Sequence, residues 1–364
     1  MLEVKASQII RAVVLAGGQG SRFWPISRQK KPKQFFSIAE SGESLIQATA
    51  NRLAPLVGLE NIVIVTNIVH RPLVEEHVPK SRILCEPFAR NTAASIGLAA
   101  LFLRHEDPKT VMITLPADHA VSDADILRST LQRAIKLSAS GERLVTIGIE
   151  PTSPNTGYGY IRCGAAIDAQ LGERAYAVNR FFEKPSFERA QQYVASGEYL
   201  WNSGMFAWRV DAILKAIREY MPALADALDK IDPTIGTSKE QPTIAEVFEK
   251  LESVSIDFGV LEHAKNCAVV RAEPFGWSDV GSWDQWAQHF KHDERNNLSR
   301  GDAVVVDCDG CIVHSEHRLI AVIGADNMIV IDAGDAILVC PREKVQDVRK
   351  VVEELRKRGR FELT

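Results

Sequence analysis

Near its N-terminus the chain combines closely spaced glycines with a series of cations, a pattern that suits phosphate chemistry. The segment reads VVLAGGQGSRFWPISRQKKPKQF, from Val13 to Phe35. Glycines allow a backbone to approach phosphate oxygens closely and to present N–H groups to them. Arg22 and Lys33 would add fixed positive charge, which stabilises a phosphate-transfer transition state more than the ground state. The segment therefore predicts a phosphate site. The alternative is a tight turn beside a solvated basic stretch.

The glycine loop fits neither of the two common phosphate-binding fingerprints. Phe23 stands where the dinucleotide motif has its third glycine, which disfavours a dehydrogenase, and the Gly-Lys-Ser/Thr ending of the P-loop is missing. Trp24-Pro25 also argues against a helix that begins directly after the glycines. We therefore expect backbone N–H groups, together with Arg22 and Lys33, to hold the phosphates without the help of a helix N-terminus.

Two aspartates are candidates for holding a metal ion. Asp118 follows an apolar run in the segment PADH, and Asp279 lies in the segment GWSDVGSW. Carboxylates suit Mg²⁺, which prefers oxygen ligands and completes its shell with substrate phosphates. The alternatives are that Asp118 opens a turn and that Asp279 caps a helix beginning at Ser282.

Taken in order, these segments resemble the sugar-1-phosphate nucleotidylyltransferases. The resemblance rests on LAGGxGxR (15–22), WPxSR (24–28) and PKQF (32–35), and the last two are similar to the mannose-1-phosphate guanylyltransferase branch. It spans residues 9–290. The resemblance implies that Arg22, Lys33 and Asp118 are catalytic and that Asp118 and Asp279 bind Mg²⁺. It implies that the first loop wraps the nucleoside triphosphate through Leu15, Ala16, Gly17, Gly18, Gly20 and Ser21.

The segment EPxxRNTA (86–93) lies where relatives read the base. The Watson–Crick edge of guanine offers two donors, N1–H and N2–H₂, and one carboxylate such as Glu86 accepts both. Asn91, Thr92, Ala93 and Pro116 complete the implied nucleotide site. The alternative is that Asn91 or Thr92 caps the following helix, and the two interpretations are compatible.

Three further segments resemble the family's site for the sugar phosphate: TGYGY (156–160), FEKP (182–185) and WNSGMF (201–206). The implied site residues are Gly157, Gly159, Glu183, Lys184, Asn202 and Asp257. Glu183 and Asn202 would hold mannose hydroxyls, and Lys184 would hold the 1-phosphate. The alternatives are an exposed Glu183–Lys184 ion pair at a strand end, and core packing for Trp201 and Phe206.

The resemblance as a whole implies transfer of GMP from GTP to α-D-mannose 1-phosphate, giving GDP-mannose and pyrophosphate by in-line attack. One alternative is the same chemistry with another hexose 1-phosphate or another nucleoside triphosphate. An alternative of another class is a non-catalytic nucleotide-sugar sensor. Members of this branch often end in a short β-helix that mediates dimers, so a homodimer through the C-terminal domain is implied.

The elements that must position these residues follow from hydrophobic patterning. Short, continuous β-branched runs alternate with helical patterns, which predicts a doubly wound α/β sheet that is mixed but mostly parallel. Predicted strands cover 11–15, 62–66, 82–85, 111–115 and 144–147. Predicted helices cover 44–53, 70–77, 92–103 and 124–138. In such a sheet, ligands bind at the carboxyl ends of the strands. The glycine loop and Asp118 are both expected there.

Beyond residue 158 the pattern changes twice. Strands at 158–163, 178–183 and 203–208 and a helix-rich stretch at 210–252 indicate an insertion that builds a second wall over the sheet. After residue 297, short apolar runs separated by Gly, Asp and Asn predict a small β-solenoid or sandwich, capped by a helix at 343–358. We predict a catalytic domain at 1–294 and a β-solenoid-like domain with a terminal helix at 295–364.

Composition restricts the partners of the protein. A net charge of −4 over 364 residues disfavours nucleic acid and anionic membranes as partners. No apolar run has the length of a membrane helix, and residues 1–18 lack the layout of a signal peptide, which predicts a cytoplasmic protein. Cys308 and Cys311 form a C-x-x-C pair without a second pair at zinc spacing, so we interpret them as small core residues.

Overall fold

The computed structural model describes residues 8–37, 42–167 and 174–364, so residues 1–7 of the stretch tested for a signal peptide lie outside it. The chain divides into two compact units. Unit 1 contains Met1–Gly17, Thr49–Ala117 and Val121–Trp277, and unit 2 contains Gly18–Ala48, Asp118–Ala120 and Ser278–Thr364. The chain passes between units inside the glycine loop, after Gly17, and again directly before Asp118. The proposed domain boundary at residue 295 stays a prediction.

Unit 1 is built on one large sheet. Its strands among the described residues are β1 (Ile10–Ala16), β2 (Ile62–Asn67), β3 (Arg82–Glu86), β4 (Val111–Pro116), β5 (Leu144–Ile149), β6 (Gly159–Ala166), β7 (Ala175–Glu183), β8 (Tyr199–Arg209) and β9 (Cys267–Arg271). They lie in the order β3-β2-β1-β4-β8-β5-β9-β7-β6. The first five agree with the predicted strands to within two residues at either end.

Strand directions confirm the mixed α/β sheet. β3, β2, β1 and β4 are parallel neighbours, as are β5 and β9. β8 runs antiparallel to β4, β5 and β6, and β7 runs antiparallel to β6 and β9. The strands β3, β2, β1 and β4 therefore form a wholly parallel block, while β5 and β9 are the one parallel pair among the other described strands of this sheet. The prediction that the insertion after residue 158 builds a second wall over the sheet is wrong for its strands, because β6, β7 and β8 all pair within the same sheet, β8 in its centre.

Helices cover the sheet. They are α1 (Leu45–Val57), α2 (Arg71–His77), α3 (Asn91–Arg104), α4 (Ala124–Ala139), α5 (Phe187–Ser196), α6 (Val210–Tyr220), α7 (Pro222–Ile231) and α8 (Glu240–Lys250). On β1, Val13 packs into the core that contains α3, α6, α7 and α8. Its neighbours Ala12 and Val14 point to the opposite face and are also fully buried. Both faces of the strand are thus covered, which explains its continuous apolar run.

Unit 2 contains a β-solenoid, as predicted. Its strands are β10 (Leu298–Arg300), β11 (Ala303–Val306), β12 (Ile312–Ser315), β13 (Ile320–Ile323), β14 (Met328–Asp332) and β15 (Ile337–Pro341). β10, β12 and β14 stack in parallel, which places Leu298, Ile312 and Ile329 in one buried ladder. β11 and β13 form a second parallel pair. Successive turns of the chain therefore bury one another's apolar residues.

The remaining helices of unit 2 are α9 (Trp283–Ala287) and α10 (Val348–Lys357). The helix predicted from residue 343 begins later, because Arg342–Asp347 forms a 3₁₀ helix first. Cys308 and Cys311 are buried, and their thiols donate to the main-chain oxygens of Val306 at 3.2 Å and Ala325 at 3.1 Å. They are core residues, as the sequence suggested. No helix in the described ranges is long and apolar enough to cross a membrane.

Candidate active site

The glycine loop begins where β1 ends, at Ala16. Gly20 has a φ of +60° and precedes a single 3₁₀ turn, Ser21–Phe23. A Cβ atom on Gly20 would lie only 2.5 Å from Cβ of Lys33, so this position needs glycine for both its conformation and the close approach. Trp24-Pro25 is a cis peptide bond. The prediction that no α-helix begins directly after the glycines is confirmed.

Lys33 is a buried cation held by two oxygens. Its Nζ lies 3.0 Å from Oδ2 of Asp118 and donates to the main-chain oxygen of Asp279 at 2.7 Å. The residue is only 5% exposed. Burial on its own raises the pKa of the Asp118 carboxyl, but the charge of Lys33 and then that of His119 outweigh it, so the pKa is lowered. The carboxylate is therefore ionised at neutral pH.

A short antiparallel bridge brings the two aspartates together. Ala120 and Ser278 exchange hydrogen bonds of 2.8 and 3.1 Å between their main chains. Asp118 and Asp279 lie within two residues of this bridge. The alternative that Asp279 caps the following helix is wrong, because Ser282 caps α9 by accepting from the N–H of Gln285. Asp118 does lie in a turn, as its alternative proposed.

Arg22 lies on the same cavity. Its Nη1 donates to the main-chain oxygen of Gly281 at 3.2 Å, and the residue is exposed. A Cβ atom on Gly281 would lie 3.0 Å from this Nη1 and 2.8 Å from Oδ2 of Asp279. Arg22, Lys33, Asp118 and Asp279 together line a cavity of about 230 Å³ within unit 2. The structure thus gathers the two predicted catalytic cations and the two predicted metal ligands.

The donor set of this cavity fits Mg²⁺. Two carboxylates face it, and Mg²⁺ in proteins is usually held by one or two carboxylates plus substrate phosphates. Within the described residues, no group of three or more His, Cys, Asp or Glu side chains forms a fuller metal cage. A Mg²⁺ ion held by these two carboxylates would keep coordination positions for phosphate oxygens.

Glu86 lies at the carboxyl end of β3 and is 3% exposed. Its Oε1 has no hydrogen-bond partner among the described residues. Burial raises the pKa of the Glu86 carboxyl to about 7, against a smaller lowering by Ser95. A Cβ atom on Gly17 would lie 3.8 Å from Oε2, so the carboxyl group is next to the start of the glycine loop. A buried acceptor without a partner is what recognition of a ligand N–H requires.

The start of α3 is tied to another segment of unit 1. The hydroxyl of Thr92 accepts from the N–H of Ile256 at 2.9 Å, and the N–H of Ala93 donates to Val254 at 3.2 Å. The alternative that Asn91 or Thr92 caps α3 is wrong, because the helix begins at Asn91 and its N-cap residue is Arg90, without a side-chain capping bond. Asn91 has a φ of +64°, and its side chain accepts from the adjacent N–H of Thr92.

Most of the predicted sugar-phosphate residues lie near one another, at the start of β6 (Gly159), the end of β7 (Glu183), inside β8 (Asn202) and in the helical turn that begins at Asp257. Gly159 pairs with Glu183, and a Cβ atom on Gly159 would lie 2.5 Å from Oε2 of Glu183. Nδ2 of Asn202 donates to Oδ1 of Asp257 at 2.6 Å. Burial raises the pKa of Asp257 to about 6, although this bond from Asn202 acts in the opposite direction. Glu183, Asn202 and Asp257 thus form one polar cluster.

Lys184 and Gly157 lie at the edge of this region. The Lys184 side chain is 65% exposed, and its Nζ lies 3.3 Å from Oε1 of Glu183. The ion pair of the alternative interpretation is present, yet its ammonium stays accessible. The N–H of Gly157 donates to Oδ1 of Asn155 at 2.8 Å. Phe206, which is 2% exposed, packs in the core as expected.

Gln285 was missed by sequence reasoning. Its Oε1 accepts from the N–H of Gly281 at 2.6 Å, which fixes the turn that follows Asp279. The sequence indicates this role only weakly, through the position of Gln285 three residues after Ser282, the cap of α9.

Known protein families match two successive parts of the chain. The family of nucleotidyl transferases matches residues 11–296, and the MannoseP isomerase/GMP-like beta-helix domain matches residues 301–355. The chain is 38% identical to a mannose-1-phosphate guanylyltransferase of Escherichia coli K12, over 96% of this chain and 74% of the relative. It is 39% identical to the xanthan biosynthesis protein XanB of Xanthomonas campestris pv. campestris B100, over 97% of this chain and 74% of that protein.

A solved structure is similar over almost its whole length. It is the crystal structure of a protein from Thermus thermophilus named mannose-1-phosphate geranyltransferase. The TM-score is 0.84 at 33% identity, over 95% of this chain and 99% of the other.

Proposed function

We propose that this chain transfers GMP from GTP to α-D-mannose 1-phosphate. The chain belongs to the nucleotidyl transferase family and, within it, to the mannose-1-phosphate guanylyltransferases. The observation that carries the proposal is the cavity in unit 2. There Lys33 bonds to Asp118 and to the main chain of Asp279. Two cations and two carboxylates at one cavity suit the transfer of a phosphate-bearing group, and they exceed what a simple binder of nucleotide sugars needs.

In the proposed reaction an oxygen of the sugar 1-phosphate attacks the α-phosphorus of GTP. A new P–O bond forms as the bond between the α-phosphorus and the bridging oxygen of pyrophosphate breaks, and pyrophosphate leaves in line. No enzyme nucleophile is required. Arg22 and Lys33 offer fixed positive charge to the phosphate oxygens while charge spreads over them in the transition state. Because Lys33 is already held by two protein oxygens, its ammonium needs little reorganisation during the reaction.

Asp118 and Asp279 would hold Mg²⁺, which when bound neutralises phosphate charge and orients the phosphates. The carboxylate of Asp118 also keeps Lys33 in place through the 3.0 Å ion pair. This dual use links the metal site to the cation that we assign to the phosphates.

Substrate selection is assigned to unit 1. The unpartnered Oε1 of Glu86 supports its role as the acceptor for the N1–H and N2–H₂ of guanine, since a uracil or thymine edge offers one such donor. Glu183 and Asn202 would accept from and donate to mannose hydroxyls, with Asp257 orienting Asn202 through the 2.6 Å bond. The exposed Lys184 would neutralise the sugar 1-phosphate.

Binding of guanine nucleotides is expected to weaken as the pH falls through 7. Only the ionised Glu86 carboxylate accepts both guanine donors, and its pKa is raised to about 7. The ionised fraction therefore falls about tenfold between pH 8 and pH 6, and the Kd for GDP-mannose should rise by a similar factor. Calorimetric titration with GDP-mannose at both pH values measures this, because the diphosphate diester of that ligand does not titrate in this range.

The matched control is Glu86→Gln. The amide keeps the size of the side chain but cannot titrate, so we expect weaker binding and the loss of most of the pH dependence. Asp257, whose pKa is raised to about 6, would contribute to any remaining slope. An unchanged pH profile in the variant would show that another group reads the base.

The proposed activity is tested by pyrophosphate release from a matrix of four nucleoside triphosphates and the 1-phosphates of mannose, glucose and galactose. We expect GTP with mannose 1-phosphate to have the highest kcat/KM. Preference for another pair would support nucleotidyl transfer but assign it to other substrates. Tight binding of GDP-mannose without Mg²⁺-dependent turnover would instead favour a nucleotide-sugar sensor.

We also propose that the protein forms a homodimer through its β-solenoid. Val306 of β11 is 43% exposed and Ile323 of β13 is 72% exposed, and the two are paired in register. Val304 is also exposed on β11, at 47%. An exposed apolar patch of this kind marks a protein–protein contact site, and the family resemblance favours a second copy of this chain as the partner. The cytoplasmic location stays a prediction.

The double variant Val306→Lys/Ile323→Lys is expected to shift the protein from dimer to monomer, because two charges would be buried without partners in the interface. Light scattering coupled to size-exclusion chromatography measures the mass. The control is Gln346→Lys, which adds charge at an exposed position of the 3₁₀ helix before α10. A wild-type monomer, or a dimer unaffected by the double change, would contradict the assignment.

A further inference from the structure

The last residues of the described chain accept hydrogen bonds from the loop that links Arg22 to Lys33. Nε1 of Trp24 donates to the main-chain oxygen of Leu363 at 2.8 Å. Nη1 of Arg28 donates to the same oxygen. The N–H of Gln29 donates to the main-chain oxygen of Thr364 at 2.8 Å. Three donors of one loop therefore converge on two consecutive residues that lie more than 330 positions later in the chain.

These hydrogen bonds are shielded from water. Trp24 and Thr364 are each 6% exposed, and the side chain of Arg28 is 14% exposed. Hydrogen bonds are stronger in such an environment, and the one from Arg28 is also assisted by charge. In contrast, Phe361 in the same terminal turn is 64% exposed. On the C-terminal side the contact is thus made by the main-chain oxygens of Leu363 and Thr364, and not by the exposed ring of Phe361.

Arg28 joins this terminal turn to the β-solenoid. Its Nη2 lies 2.6 Å from Oδ1 of Asp335, in the connection between β14 and β15. Its guanidinium also lies 5.4 Å from the centroid of the Trp24 ring. A carboxylate, a main-chain oxygen and a ring therefore hold this side chain in its orientation.

The Arg22 end of the loop packs on α10. Val348 and Val352 of this helix share a core cluster with Phe23 and Trp24. Nη2 of Arg356 donates to Oε1 of Gln19 at 3.1 Å, and Oγ of Ser27 donates to the main-chain oxygen of Gln19 at 2.8 Å. The residues flanking Arg22 thus rest on the C-terminal helix.

The loop needs such support because it has little regular structure. Between Arg22 and Lys33, all of which are described, the only β-bridge is the antiparallel one between Arg28 and Lys31. A 3₁₀ turn lies at each end, at Ser21–Phe23 and Lys33–Phe35. The positions of Arg22 and Lys33 therefore depend on contacts of the loop with other segments of the chain. Misplacement of a reacting group by about 1 Å can lower a rate on the order of 10²-fold.

We propose that Leu363 and Thr364 are positioning residues for the transfer reaction: their main-chain oxygens fix the loop that carries Arg22 and Lys33. This inference rests on the proposed function for its effect on catalysis. Its structural part, the restraint of residues 24–33 by residues 363–364, stands on its own.

The test compares the wild type with a variant lacking Leu363 and Thr364 and with Trp24→Phe, which keeps an aromatic ring but removes the Nε1–H donor. The control is Phe361→Ala, which removes an exposed side chain from the same turn and leaves the loop bonds in place. Four properties are measured for each protein: thermal melting, hydrogen exchange of the segment 24–33, the stoichiometry of GDP-mannose binding, and kcat with KM for both substrates.

In the shortened variant we expect exchange of segment 24–33 to accelerate about tenfold or more, and kcat to fall on the order of 10- to 100-fold. Binding should remain at one GDP-mannose per chain, which separates a misplaced loop from a loss of folded enzyme. Trp24→Phe should change both quantities in the same direction by less, and Phe361→Ala should match the wild type.

Wild-type exchange and kcat in the shortened variant would overturn the proposal. If that variant does not fold, Trp24→Phe decides, and unchanged exchange in it would also overturn the proposal. If the wild type itself shows no turnover, the proposed function fails, while the exchange measurement still tests the restraint of the loop.

Discussion

Replacing Lys33 by alanine is expected to lower kcat by on the order of 10²-fold or more, because a fixed cation of this kind supplies a few kcal/mol of transition-state stabilisation. Lys33 reaches oxygens of both Asp118 and Asp279 and is buried beside them. Its loss removes the charge offered to the phosphates and also frees Asp118 from its ion pair. Steady-state kinetics with GTP and mannose 1-phosphate measure the effect.

The control is Lys30→Ala, three residues earlier at an exposed position, which should leave kcat within about twofold because isolated surface charges contribute little. Lys33→Met preserves much of the buried volume and separates the loss of charge from the loss of packing. Arg22→Ala should also reduce kcat, since Arg22 lines the same cavity. Near-normal turnover in both Lys33→Ala and Arg22→Ala would refute the role assigned to these cations.

Replacing Asp118 or Asp279 by asparagine is the second change with a large expected effect. Each substitution removes one anionic ligand of the proposed metal, and metal ions contribute several kcal/mol to reactions at phosphate. We expect kcat at a fixed Mg²⁺ concentration to fall on the order of 10²- to 10³-fold, with a higher Mg²⁺ concentration needed for half-maximal rate. Rates measured over a series of Mg²⁺ concentrations determine both quantities.

A second readout does not depend on turnover. Binding of Mn²⁺ in the presence of GTP, followed by electron paramagnetic resonance, should weaken in both variants. Asp302→Asn, at an exposed position of unit 2, is the matched control. If the two variants bind Mn²⁺ as the wild type does and keep its Mg²⁺ dependence, these carboxylates do not hold the metal.

Much of the fold could be predicted because the relevant signals are local. The β-branched run of β1 is buried on both faces, so it appears in the sequence as a continuous apolar strand. Gly, Asp and Asn turns likewise mark the short strands after residue 297. β8 was predicted as a strand, but its place between β4 and β5 was not, because strand pairing joins segments far apart in the sequence.

The candidate site shows the same limit. Arg22, Lys33, Asp118 and Asp279 could be named from residue types and from the resemblance. The bond from Lys33 to the main-chain oxygen of Asp279 could not, since main-chain acceptors leave no trace in residue identity. The same holds for Leu363, whose contribution to the loop is a carbonyl group. The pKa of Glu86, raised to about 7, depends on burial that only the folded chain reveals.

Isotope transfer shows whether mannose 1-phosphate attacks the α-phosphorus of GTP. The wild-type protein is incubated with mannose 1-phosphate, Mg²⁺ and GTP labelled with ³²P at either the α- or the γ-position, and the products are separated by chromatography. We expect the α-label to appear in GDP-mannose and the γ-label only in pyrophosphate. Transfer of the γ-label to the sugar phosphate, or no transfer of the α-label to a sugar nucleotide, would contradict it.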